Sequence, residues 1–119
     1  MDTTRMLVRT VCSIVDEKKG EHLHVLDLSR ISSLTDFFIL CQAGNPRQGQ
    51  AISDGVREAL KKEHGLLPRH IEGYNEAEWI LLDYIDFVLH IFSPRAHSFY
   101  RLDRLWSDAE EVQPDRFVS

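Results

Sequence analysis

Cysteine is scarce in this chain, and so are glycine, proline and clustered positive charge. Each scarcity closes off a class of protein. Two cysteines in 119 residues, Cys12 and Cys41, stand far apart in apolar surroundings. They form no C-x-x-C pair, so neither a zinc site nor a redox motif is supported, and buried free thiols are expected. Six glycines and four prolines are too few for a collagenous or low-complexity chain. No apolar run approaches the roughly 20 residues of a membrane span. The stretch MDTTRMLVRTVCSIVDEKKG carries charges throughout and lacks a small-residue cleavage site. It does not read as a signal peptide, and a cytoplasmic protein is expected. Lys and Arg total 14 against 19 Asp and Glu, a formal net charge of −5. With no clustered basic patch, such a body is not built to grip phosphates over its whole surface. Any nucleoprotein it approached would be met through a basic protein component.

What is present is the patterning of one compact domain over residues 1–119, long enough to close a single core. Over residues 4–19, Leu7, Val11, Ile14 and Val15 recur at helical spacing. Lys18, Lys19 and Gly20 then make a stop, with Gly20 suited to a left-handed cap. EHLHVLDLS alternates as a strand, and ISSLT is turn chemistry. DFFILCQAG has an unbroken apolar centre, as expected of a central strand covered by helices. NPRQ opens a helix: Asn45 suits the N-cap, Pro46 the first helical position, and Gln48 the return arm of a capping box. Gly55 inside this helix implies close packing against the sheet. RHIEG reads as a short strand, and EWILLDYIDFVLHIF as two strands around a tight turn, with Trp79, Leu81 and Asp83 on one face. AHSFYRLDRLWSDA has the period of a helix. The expected fold is therefore α/β of the α+β type, a mixed sheet of five strands flanked by helices.

The residues that could carry chemistry have structural explanations of their own. Asp83 and Asp86 could hold magnesium as paired carboxylates. A nucleotidyltransferase, however, uses D-x-D on one strand face after a Gly-Ser helix start. Here D-x-x-D straddles a turn, and Gly44 is followed by Asn45. GNPRQG could cradle a phosphate at a helix N-terminus, but capping accounts for all of it except Arg47, and it lacks the spacing of a phosphate-binding loop. His22 and His24 have no further ligands nearby to complete a zinc site. His90, inside an apolar strand, reads as a hydrogen-bonded core histidine. No G-x-S-x-G occurs. No catalytic residue, metal or cofactor is expected. Phe99 and Trp106 fall on the apolar face of the last helix and read as core. Trp79 and Tyr84, at the start and the turn of a hairpin beside Asp83, fit the aromatic composition of interface hot spots.

Three segments, DFFILCQAGNPRQGQAI, EGYNEAEWILLDYIDFVLHIFSP and FYRLDRLWSDA, resemble the ribosomal silencing factor (Iojap-like) family in order and spacing, over residues 22–109. The resemblance implies a mixed-sheet fold related to nucleotidyltransferases without their catalytic residues. It implies a non-enzymatic protein that binds the large ribosomal subunit at ribosomal protein fourteen. There it would block the small subunit sterically and lower translation when nutrients are scarce. It also implies frequent homodimers. Carried over by position, Trp79, Asp83, Tyr84 and Tyr100 are the expected partner contacts, and Asp36, Gly44, Asn45 and Asp86 are expected to shape turns and caps. A nucleotidyltransferase-like enzyme or nucleotide-binding domain is the alternative. Three positions depart from the family pattern. Ile85 replaces a turn glycine, so that turn must change type or carry strain. His97 replaces an arginine, and Asp103 a glutamate.

Overall fold

The computed structural model describes residues 3–96 and 107–113. Along the chain these form α1 (Thr3–Glu17), β1 (Glu21–Asp27), β2 (Phe37–Gln42), α2 (Pro46–His64), β3 (His70–Glu72), β4 (Trp79–Asp83), β5 (Phe87–Phe92) and β6 (Glu110–Val112). The strands make one open sheet in the order β3-β4-β5-β2-β1-β6. β2 and β5 pair in parallel at its centre, and every other pairing is antiparallel.

Burial divides the sheet into two faces. On one, Val25, Ile39, Cys41, Ile80, Leu82, Leu89 and Ile91 pack under Val8, Val11, Cys12 and Val15 of α1 and Ile52, Val56 and Leu60 of α2. On the other, Leu26, Leu28, Leu40 and Phe92 form a smaller cluster, with Phe38, Trp79, Ala96 and Ala109 against it. The unbroken apolar run of β2 is thus explained by burial on both sides, with both described helices on a single side. Cys12 and Cys41 are buried and free. Burial pushes each thiol up to about 12, so neither forms the reactive thiolate at neutral pH.

The N-cap forms as expected, while the return arm reaches one residue further back than a capping box, to Gly44 instead of Asn45. The Gln48 N–H donates to Asn45 Oδ1 at 2.8 Å, and Gln48 Oε1 accepts from the Gly44 N–H. The Gln48 amide also donates to the Lys18 and Lys19 carbonyls at 3.1 and 2.9 Å. One side chain therefore closes the start of α2 and the end of α1 together. The left-handed residue ending α1 is Lys19, with φ 65, rather than Gly20. Gly55 faces α1, not the sheet: a Cβ there would lie 3.1 Å from both Ile14 and Lys18. The glycine set against the sheet is Gly49, beside Ile80 and Ile91.

The strand count is six instead of five. β6 pairs Val112, Glu111 and Glu110 with Val25, Leu26 and Asp27 of β1, so β1 is an interior strand. Three residues reading EEV show no usable alternation, and the pairing comes from tertiary contact alone. The helix expected over residues 96–109 falls mostly outside the described residues.

Candidate partner-binding face

Strand alternation assigns the candidate residues to faces. Trp79, Leu81 and Asp83 of β4 point to the face opposite α1 and α2, while Ile80 and Leu82 point into the core under those two helices. Across the register they sit opposite Phe92, His90 and Val88 of β5. Those in turn sit opposite Gln42, Leu40 and Phe38 of β2. Trp79, Leu81, Asp83 and Phe38 keep partial exposure. The result is a row with an aromatic end and an acidic end, laid over a buried floor.

Trp79 is held by its neighbours. Its indole N–H donates to His90 Nδ1 at 3.0 Å. Its ring centroid lies 5.8 Å from that of His90 and 5.4 Å from that of Phe92. Phe38 packs on the other side of the His90 ring at 4.4 Å. His90 is 3% exposed, and burial pushes its pKa down to about 4, so it is neutral near pH 7. With Nδ1 accepting, the ring proton belongs on Nε2, which is buried without a partner. An orphaned donor of this kind costs about 1–3 kcal/mol.

The segment leading into Trp79 is also closely fitted. Gly73 has φ 74, and a Cβ there would collide with the Trp79 carbonyl oxygen, so only glycine fits. The Tyr74 hydroxyl donates to the Asp54 carboxylate of α2 at 3.0 Å, and the Gln50 amide donates to the Tyr74 carbonyl at 3.0 Å. Both bonds tether the loop to α2.

Tyr84 lies elsewhere than expected. Alternation continues one residue past β4, turning Tyr84 to the helix side, where it is 4% exposed and stacked on Phe87 at 5.0 Å. It is a core residue of the opposite face and does not stand beside Trp79. Its hydroxyl is buried without a partner, and burial pushes its pKa up to about 12. Tyr100 falls outside the described residues. Among the four expected contacts, the described structure brings Trp79 and Asp83 onto one face.

Asp83 and Asp86 are tied into the hairpin by separate bonds. Asp83 Oδ1 accepts the Ile85 N–H at 2.8 Å, and Oδ2 stands 3.6 Å from the Arg69 guanidinium. Asp86 works through its backbone: its carbonyl accepts from the Asp36 N–H at 2.9 Å, and the Asp36 carbonyl accepts from the Leu28 N–H at 2.7 Å. These bonds stitch the hairpin to the start of β2. Gly44 and Asn45 serve the start of α2. Among the described residues, no three His, Cys, Asp or Glu side chains come together as a metal site. His22 and His24 are separated by a register irregularity in β1, and His24 Nδ1 lies 2.6 Å from Glu111 of β6.

Ile85 carries the strain its side chain implies. It sits at φ 76, and the Asp86 N–H donates back to the Tyr84 carbonyl at 2.9 Å, the rare γ-turn of positive φ. A β-branched residue is poorly tolerated there, and Ile85 is half exposed, so little packing offsets the cost. Ile85→Gly is expected to raise stability by about 1 kcal/mol, checked by urea unfolding; an unchanged midpoint would mean the turn is unstrained.

Three features of this face go beyond the candidate residues of the sequence. Leu81 fills the row between Trp79 and Asp83, Arg69 pairs with Asp83, and His90 is the acceptor for Trp79. The period of two signals Leu81. The other two depend on cross-strand register, which one strand's sequence does not encode.

Comparison with known proteins agrees with this architecture. A family model described as "Ribosomal silencing factor during starvation" matches residues 1–119. A ribosomal silencing factor from Halalkalibacterium halodurans is 34% identical over 113 residues, covering 95% of this chain and 96% of the relative. One from Bacillus subtilis is 32% identical, covering 88% of each. The chloroplastic Iojap protein of Zea mays is 30% identical over 87% of this chain and 45% of its own length. A crystal structure from Bacillus halodurans superposes with a TM-score of 0.78 at 33% identity, covering 90% of this chain and 96% of the other. One from Chromobacterium violaceum superposes with a TM-score of 0.80 at 28% identity, covering 90% and 88%. With the family pattern matched from end to end, and its fold matched by these structures, the chain belongs to the ribosomal silencing factor family.

Proposed function

We propose that the protein binds the large ribosomal subunit through ribosomal protein fourteen and blocks association with the small subunit, repressing translation when nutrients are limiting. The mechanism is occupancy: one surface cannot hold two partners at once, and no bond need be made or broken. The observation that carries this reading is the row of Trp79, Leu81 and Asp83 on the sheet face away from α1 and α2, in a chain of this family. The row combines an aromatic anchor, an aliphatic neighbour and a carboxylate, a combination suited to a basic protein surface. The net charge of −5 favours a protein component of the ribosome over its RNA. Such a role places the protein with the ribosomes of the cytoplasm.

The test is co-sedimentation with isolated large subunits, followed by addition of small subunits. Binding with suppressed joining supports the reading; protein that stays in the supernatant at micromolar concentration sinks it. Within that assay, Trp79→Ala should weaken binding by about 2 kcal/mol, roughly 30-fold, with a native circular dichroism spectrum. Undiminished affinity would remove Trp79 from the contact.

A further inference from the structure

We propose that His90 is a positioning residue for Trp79: it takes the indole N–H, fixes the ring on the sheet face, and leaves Trp79 only carbon to offer a partner. The inference rests on the reading of Trp79 as a partner contact. Indole has a single polar atom, the Nε1 donor, and here it is spent on His90 Nδ1 at 3.0 Å. A tryptophan whose donor were loose could serve a hydrogen-bond acceptor in the partner; this one presents an apolar surface whose orientation is set before binding. The group it meets should therefore be aliphatic or aromatic, and little ordering remains to oppose association.

The local chemistry argues that His90 is not there for the stability of the fold. Its acceptor is used, but its Nε2 donor is buried and unanswered, in a 3% exposed side chain between Phe38 and Phe92. An aliphatic side chain would fill this place in the small cluster of Leu26, Leu40 and Phe92 and remove the buried Nε2 donor, leaving the indole N–H of the partly exposed Trp79 to water. What it could not do is accept from Trp79. Stability and partner binding should consequently respond to the same substitution in opposite directions.

The experiment pairs two readouts. In ¹⁵N-labelled free protein, a scalar coupling across the N–H···N bond should link Trp79 Nε1 to His90 Nδ1; its absence overturns the proposal. His90→Leu should then unfold at or above the wild-type temperature while binding large subunits about tenfold more weakly. The Trp79→Ala/His90→Leu double variant should bind no more weakly than Trp79→Ala alone. His90→Asn puts a carbonyl oxygen close to where Nδ1 stands and should restore most of the affinity, a rescue that does not depend on the leucine variant folding well. Full affinity in His90→Leu, equal losses with and without Trp79, or no rescue by asparagine would each overturn the positioning role. If Trp79→Ala itself binds like wild type, the contact reading fails with it; if Trp79→Ala is weak and His90→Leu is not, only the positioning role fails.

Discussion

Tyr84→Ala is expected to lower folding stability by about 3–5 kcal/mol, the usual cost of emptying an aromatic site in a core. The ring lies within the helix-side core, 4% exposed, and stacks on Phe87 with 15° between the planes. Alanine would remove that stack and leave a cavity where the hairpin turns over, beside the strained Ile85. Tyr84→Phe should behave in the opposite sense. It keeps the ring and deletes a hydroxyl that is buried without a partner, so the variant should match or exceed the wild type. Urea unfolding of the three proteins measures both effects. An interface residue would give a different pattern: Tyr84→Ala would stay as stable as wild type and lose affinity for large subunits. A variant with unchanged stability would return Tyr84 to the candidate contacts.

The inward position of Tyr84 shows what the sequence carries and what it omits. A period of two assigns Trp79, Leu81 and Asp83 to one face and Ile80 and Leu82 to the other, and the structure agrees. The same period, run one residue further, turns Tyr84 inward. Reading it as a turn residue hides this, because the γ-turn at Ile85 reverses the chain more abruptly than a typical hairpin loop. The Asn45 and Gln48 cap is legible because capping is local and written in adjacent residues. β6 is not, because three residues acquire strand geometry only from the edge they join. Gly55 signals a close approach, but which element approaches, α1 or the sheet, is a tertiary fact. The Trp79–His90 bond belongs to the same class: each residue stands out in the sequence by itself, and only the β4–β5 register puts them opposite one another's neighbours.

Between pH 7 and pH 4 the fold should lose roughly 3 kcal/mol through His90 alone, at about 1.4 kcal/mol for each pH unit separating the folded and unfolded pKa values. An unfolded histidine titrates near its ordinary value of 6.5, whereas burial pushes His90 in the fold down to about 4. Below 6.5 the unfolded chain therefore binds a proton that the folded chain refuses, and stability falls as pH falls. Once the pH passes below about 4 both states are protonated and the contribution stops changing; above 6.5 both are neutral and it is fully present. Protonating Nδ1 would also abolish the acceptor for the Trp79 indole, adding a geometric reason for the folded state to resist the proton. The chain also carries 19 Asp and Glu residues, so the wild-type profile by itself is a sum over many groups. The difference between wild type and His90→Leu isolates the buried ring. Unfolding free energies from urea titrations at pH 4 and pH 7 should show the leucine variant losing about 3 kcal/mol less than wild type across that interval. Equal losses in the two proteins would mean that His90 accepts its proton inside the fold nearly as readily as in water. The buried ring, with its donor unanswered and its acceptor engaged, would then have to open to solvent well above pH 4.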